Sequence, residues 1–321
     1  MFEQFPNLWT PVLPVVAIDK NPMAAEIAGE KIVLFRDNDD RWHALLDRCP
    51  HRGAALSLGD VTPEGELRCG YHGWRYNGSG ACTRVPMNEL NAAALGKISA
   101  VALPTRFIGG CVWIYTSTVA MSADEAAALP DPLLPATMQG EPSHYACYTQ
   151  EWNAHWTRSL ENFIDFTHPP YLHKGTIGGW LHKHAESGAI SYITNEETEY
   201  GLHMKTGLGP NEMSFPVDWY KPNMTELHFG STPYKALHVF CIPVNDTHTR
   251  VMNVRMVPSE DHVQAGIEHS QNSDRLVLDE DRHIVESQQG CVLSNPDEIS
   301  VPGDSPSILF RKWYKELLAG V

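Results

Sequence analysis

Positive charge is scarce in this sequence. Its 321 residues carry 24 Lys and Arg against 39 Asp and Glu, a formal charge of −15, which disfavours nucleic acid as a partner. No run reaches the ~20 apolar residues of a membrane span. Met1-Phe2-Glu3-Gln4-Phe5-Pro6 has neither the basic nor the apolar segment of a signal peptide, so a cytoplasmic location is expected. Cysteine is sparse, and Cys82, Cys111, Cys147, Cys241 and Cys291 lack framework spacing, as expected of free thiols in a reducing compartment. Internal repeats, low-complexity tracts, long like-charge blocks and a Gly-rich dinucleotide fingerprint are also missing. What remains is an acidic globular chain long enough for two domains.

Two short stretches organise it: Cys49-Pro50-His51-Arg52 and Cys69-Gly70-Tyr71-His72-Gly73-Trp74. Each offers a thiolate and an imidazole. Two Cys and two His can hold one tetrahedral zinc, or a [2Fe–2S] cluster with two thiolates on one iron and two imidazoles on the other. Zinc fingers usually group a Cys pair and then a His pair; here the order is Cys-His twice. Two β-hairpin tips meeting face to face would put the Cys together and the His together. The arrangement resembles the Rieske motif, including the surrounding Pro, Arg, Gly and Trp. That resemblance implies a [2Fe–2S] cluster held by Cys49, His51, Cys69 and His72.

Residues 1–118 read as short strands between tight turns, among them Val15–Ile18, Lys31–Phe35, Trp42–Leu46 and Cys111–Tyr115. A small antiparallel sandwich is expected, with Cys82 and Cys111 as core thiols. Ser122–Ala128 suits one or two helical turns, and Pro130-Asp131-Pro132-Leu133-Leu134-Pro135 suits neither helix nor central strand. Residues 119–143 are therefore read as a linker to a domain spanning 144–321.

In that second region a strand over Tyr145–Gln150 is expected to lead into a helix over Asn153–Thr167, with Trp156, Leu160, Phe163, Ile164 and Thr167 on one stripe. Arg158 and Glu161 point towards the polar side, and His168-Pro169-Pro170 is expected to stop the helix. Asn162, Asp165, His168 and His173 form the pattern Asn-x-x-Asp-x-x-His-x4-His. With the Cys-His loops upstream, it resembles the mononuclear-iron motif of Rieske non-haem iron oxygenases. The resemblance implies His168 and His173 as iron ligands, a later carboxylate as the third, and Asn162 and Asp165 as catalytic residues beside them. Residues 196–258 alternate as an antiparallel sheet. Ser273–Gln289 then reads as a helix capped by Ser273 and stopped by Gly290. On its wheel Asp281 lies near the centre of the face made by Val277, Leu278, Ile284 and Val285, whereas Asp279 and Glu280 point away. A carboxylate facing a core needs a partner, so Asp281 is the expected third ligand and Asp279 the alternative. Trp180–His184, with its His-x-His, reads as an exposed loop. Phe215, Trp219, Tyr220, Phe229 and Met252 read as core, or as walls of an apolar pocket, and Phe310–Leu318 as a terminal amphipathic helix.

The resemblance implies an α+β chain: an all-β Rieske domain followed by a helix-grip (START-like) catalytic domain. It implies a terminal oxygenase that uses O₂ on a small organic substrate, with electrons from a separate ferredoxin or flavin/iron–sulfur reductase. An acidic surface suits docking to a basic patch on such a donor. It further implies a homotrimer in which His72 of one subunit reaches Asp165, and thence His168, of the next. The length is closer to the homotrimeric monooxygenases and demethylases than to the longer ring-dihydroxylating subunits. Dihydroxylation and a non-catalytic electron carrier are the alternatives; a carrier needs only the first 118 or so residues.

Overall fold

The computed structural model describes residues 1–14, 21–139, 144–209, 213–228 and 236–320. The chain divides into two compact units, Met1–Pro132 and Leu133–Val321. The expected strand at Val15–Ile18 and the expected core residue Phe229 lie outside the described residues.

The first unit is built from three small antiparallel sheets. In one, Cys111–Tyr115 pairs with both Trp9–Pro14 and Thr105–Ile108. The second joins Met23–Ile27, Glu30–Arg36, Trp42–Leu46 and Ala102–Leu103. Ile32, Val33, Leu34 and Phe35 are all fully buried, the mark of a strand covered on both faces. The turn after it is tied by Asp37 Oδ1, which accepts from the amides of Asp39 and Arg41, an Asx-type closure. The third sheet is a meander of Asp60–Val61, Leu67–Arg68, Arg75–Tyr76 and Cys82–Arg84. Leu45, Leu56, Leu67 and Tyr76 pack around Cys49 and Cys69 in one core. Ala123–Ala128 is helical, with a capping box between Ser122 and Glu125.

The second unit is a seven-stranded antiparallel sheet. Its order is Tyr145–Trp152, His248–Met256, Ala236–Asn245, Met224–His228, Met213–Tyr220, Gly201–Gly207 and Tyr192–Glu197. The terminal helix, Ser305–Ala319, packs on one face: Phe310 and Trp313 meet Trp219 edge-on, with centroids 5.2 Å away in each case. Trp156 joins the same cluster through Phe310 and Tyr314.

Four local expectations differ. Asn153–Thr167 shrinks to Trp156–Phe163, because the preceding strand runs on to Trp152 and His155 supplies the N-cap. The prolines after His168 start a short helix, Pro169–Leu172, instead of ending one, since proline at the first helical position gives up only an amide that has no partner there. Ser273 is no cap: a helix over Val263–His269 passes through a π-helical turn, Ser270–Asp274, into Arg275–Val285 without a break. Trp180–His184 lies in a helix, Gly179–Glu186, where a loop was expected.

Two candidate metal centres

The Cys49 and Cys69 loops are near copies in backbone. Each Cys amide donates to the carbonyl five residues on (Ala54, Trp74), and each Cys carbonyl accepts from the glycine four residues on (Gly53, Gly73). Both glycines hold φ near +70°, where a side chain would be strained. The second loop is a hairpin tip between Leu67–Arg68 and Arg75–Tyr76. The first, expected as another hairpin, instead links Trp42–Leu46 to a 3₁₀ turn at Leu56–Leu58. Both thiols are buried, at 2% exposure, and the imidazoles stand further out with centroids 4.6 Å apart. Trp74 stacks on His51 at 4.3 Å. The donors thus separate into a sulfur pair and a nitrogen pair, the arrangement a His₂Cys₂ cluster needs. Burial, and then the neighbouring Cys49, push the Cys69 thiol up; a cationic iron pair removes both penalties. Tyr76 Oη lies 3.2 Å from Cys49 Sγ. Burial first, then Cys49, hold its phenol protonated, so it could donate to a cluster-bound thiolate.

In the second unit His168, His173 and Asp281 bring three donor atoms within 4.8 Å of one another. Each imidazole spends Nδ1 on a carboxylate: His168 on Asp165 Oδ2 at 2.9 Å, His173 on Glu280 Oε2 at 2.7 Å. Both Nε2 atoms turn to Asp281 Oδ1, at 3.5 and 3.0 Å. Neither approach has hydrogen-bond geometry, so this buried carboxylate oxygen is left without a donor. A cation at the convergence point would satisfy it, and two imidazoles with one carboxylate suit non-haem Fe(II). Burial opposes a charged ring at His168, but contacts with Asp165 and Asp281 outweigh it and raise its pKa to about 9. A proton and a metal ion compete for the same nitrogen, and the same carboxylates favour both.

Residues 8–95 match the family described as Rieske [2Fe-2S] domain. Residues 152–320 match the Vanillate O-demethylase oxygenase C-terminal domain.

This chain is a Rieske oxygenase.

Its cofactors are a [2Fe–2S] cluster and a mononuclear iron. The oxygenase is 30% identical to methylxanthine N1-demethylase NdmA of Pseudomonas putida, over 98% of this chain and 90% of that protein. Identity to methylxanthine N3-demethylase NdmB of the same organism is 28%, over 97% and 89%. The solved structure of NdmA aligns with a TM-score of 0.75 at 25% identity, covering 99% of this chain and 93% of that one. Dicamba monooxygenase bound to dicamba shares the fold at a TM-score of 0.72 and 17% identity, over 98% and 97%. No described helix of the oxygenase is long and apolar enough to cross a membrane.

The other expected site residues sit as follows. Asp165 lies beyond its helix, where Oδ1 accepts from the amide and hydroxyl of Thr167 and Oδ2 from the amide of His168. Asn162 is on the last helical turn, its buried Nδ2 without a partner. Asp281 is 2% exposed and shares the inward face with Leu278 and Val285, whereas Ile284 is 45% exposed. Asp279 turns outward to Gln150. Two expectations fail. Glu280 does not point away from the site: its longer side chain swings back to His173 and is held there by Thr176 Oγ1 at 2.8 Å. Arg158 is not on a wet face but 3% exposed, paired with Glu298 at 2.7 Å. No local periodicity signals either contact, since the partners lie far along the chain. His182 and His184 join no metal-ligating group among the described residues.

A second group, Asp218, Glu226 and His228, also has convergent donor atoms. It belongs to a row across the sheet in which His203, Asp218, Glu226 and His238 are direct cross-strand partners. Asp218 accepts from Tyr200 Oη at 2.6 Å, His203 Nδ1 at 2.7 Å and His228 Nε2 at 2.7 Å. Glu226 accepts from Thr137.

Proposed function

We propose that this oxygenase inserts one oxygen of O₂ into a small organic substrate, by hydroxylation or oxidative N- or O-demethylation, drawing electrons from a ferredoxin or a flavin/iron–sulfur reductase. The observation that carries the reading is the buried carboxylate oxygen of Asp281, without a donor and faced by two Nε2 atoms. In this reading Cys49, Cys69, His51 and His72 hold the cluster, and His168, His173 and Asp281 hold the mononuclear iron. When bound, that iron supplies O₂ activation beside the substrate. Asp165 and Glu280 accept from Nδ1 of the two rings and so turn both Nε2 atoms to the site, where iron would displace a proton. Asp281 contributes the anionic ligand, and burial excludes bulk water.

We assign residues 1–118 to the Rieske domain, 119–143 to a linker and 144–321 to catalysis, and we place the protein in the cytoplasm. A homotrimer, with Asp165 joining a neighbour's His72 to His168, completes the proposal. The names of NdmA and NdmB favour monooxygenation over dihydroxylation. The whole second unit, with its buried triad, speaks against a simple electron carrier.

Iron analysis and product formation test the reading. The oxygenase is expected to hold about three irons per chain, and a carrier about two. Single turnover of reduced protein with a panel of N-methyl and O-methyl aromatics should give a hydroxylated or demethylated product. Asp281→Ala should drop iron to about two with the cluster absorbance intact, while Asp279→Ala keeps about three. Retention of the third iron by Asp281→Ala would contradict the assignment.

A further inference from the structure

We propose that Glu280 is a positioning residue for the mononuclear iron centre, holding His173 by Nδ1 while the next residue of the same helix, Asp281, faces its Nε2. The inference rests on the reading of His168, His173 and Asp281 as the iron site. Asp281 Oδ1 faces Nε2 of His173 at 3.0 Å, and Glu280 Oε2 faces Nδ1 at 2.7 Å. His173 is 1% exposed, and a buried donor left unserved is costly. Glu280 is itself fixed: Thr176 Oγ1 donates to the same Oε2, and the Thr176 amide donates to the His173 carbonyl. The flanking charges are engaged elsewhere, Asp279 with Gln150 and Arg282 with Glu286. His168 is held differently, by a carboxylate three residues earlier in its own turn. One ring is therefore oriented locally, the other by a helix more than a hundred residues downstream. Accepting the Nδ1 proton keeps Nε2 free as a lone-pair donor, and the carboxylate charge makes that nitrogen more basic.

The test compares Glu280→Gln, Glu280→Ala and Asp279→Ala with wild type in the full-length, cluster-containing protein. Affinity for the third iron is measured by competition with a chelator, and its geometry by electron paramagnetic resonance of the nitric-oxide-treated ferrous protein. Glu280→Ala should weaken iron binding by about 10–100-fold and change the resonance. Glu280→Gln, whose amide oxygen still accepts from Nδ1, should lie between Ala and wild type. Cluster absorbance should be unchanged in both, and Asp279→Ala should match wild type throughout. Wild-type affinity and resonance in Glu280→Ala would overturn the proposal. Equal losses in Ala, Gln and Asp279→Ala with a lowered melting midpoint would also overturn it, pointing to displacement of the helix. Wild-type protein without a third iron would overturn the underlying reading, and this assignment with it.

Discussion

The triad of His168, His173 and Asp281 and the group of Asp218, Glu226 and His228 both combine imidazole with carboxylate, are largely buried and lie in the same unit. They differ in where the protons go. In the second group Asp218 takes three donors and Glu226 one, all within the chain. In the triad the donor nitrogens are spent outward on Asp165 and Glu280, and the acceptor at the centre receives nothing. Residue type and proximity make both groups candidates for a metal; only the direction of the imidazole protons separates them. A closed network ties strands together, and an open one is poised for a cation.

The largest expected effect strikes the outward carboxylates. Asp165 is not itself a proposed ligand of either metal centre, so in Asp165→Asn both irons should remain, yet turnover should fall by at least about 10–100-fold. Rapid mixing of reduced variant, substrate and O₂ should show slow bleaching of the reduced-cluster signal. Normal reoxidation would show that the carboxylate matters only for its own turn. A smaller effect is expected at the cluster, where a sulfur takes one phenolic donor. Tyr76→Phe should lower the reduction potential on the order of one decade in equilibrium, about 59 mV for a one-electron couple, as read by protein-film voltammetry. An unchanged potential would mean that the 3.2 Å contact is not a hydrogen bond to the thiolate.

The smallest effect separates the closed network from the open one. The hydrogen bond to Asp218 raises the pKa of His228. Its contribution to stability is therefore full below the ordinary value of 6.5 and is lost as pH rises through the raised one. Burial works against ionised Asp218, but its donors outweigh that and lower its pKa, so its share is lost only in acid. His228→Gln should lower the melting midpoint most between about pH 4 and 6.5 and least in alkali, with iron content unchanged. A loss of iron in that variant would dissolve the distinction between the two groups.

Legibility in the sequence followed covalent distance. The Cys-His loops could be read because each is closed by hydrogen bonds within five residues. Asp281 could be placed on the inward face because phase within Arg275–Val285 survives errors at the helix ends. His168 and Asp165 were singled out by motif, although the helix expected to run through Asp165 to Thr167 stops at Phe163. Glu280 and Arg158 were misread for a common reason. A helical wheel sorts residues by the direction of Cβ, and both side chains are long enough to bend back to partners that only the tertiary fold supplies. The three separate sheets of the first unit and the cross-strand row of acids and histidines are equally invisible to periodicity, which says nothing of register.

The π-helical turn at Ser270–Asp274 has a consequence for the history such a chain can have. Upstream of it, Gly266 lies so close to the first strand of the sheet that a Cβ there would come within 2.6 Å of the Ala146 Cβ. Inside it, Asp274 is fastened to Arg255 at 2.7 Å. Downstream, Asp281 is aimed at two histidines. One residue more or less in a helix turns everything after it by about 100°, so the extra residue of a π turn acts as a phase correction between two fixed attachments. Surface loops can gain and lose residues freely; this stretch cannot, because a single deletion forces a choice between seating Gly266 and aiming Asp281. Residues 266–281 thus behave as a spacer of fixed count, with a length as constrained as the identity of its ends.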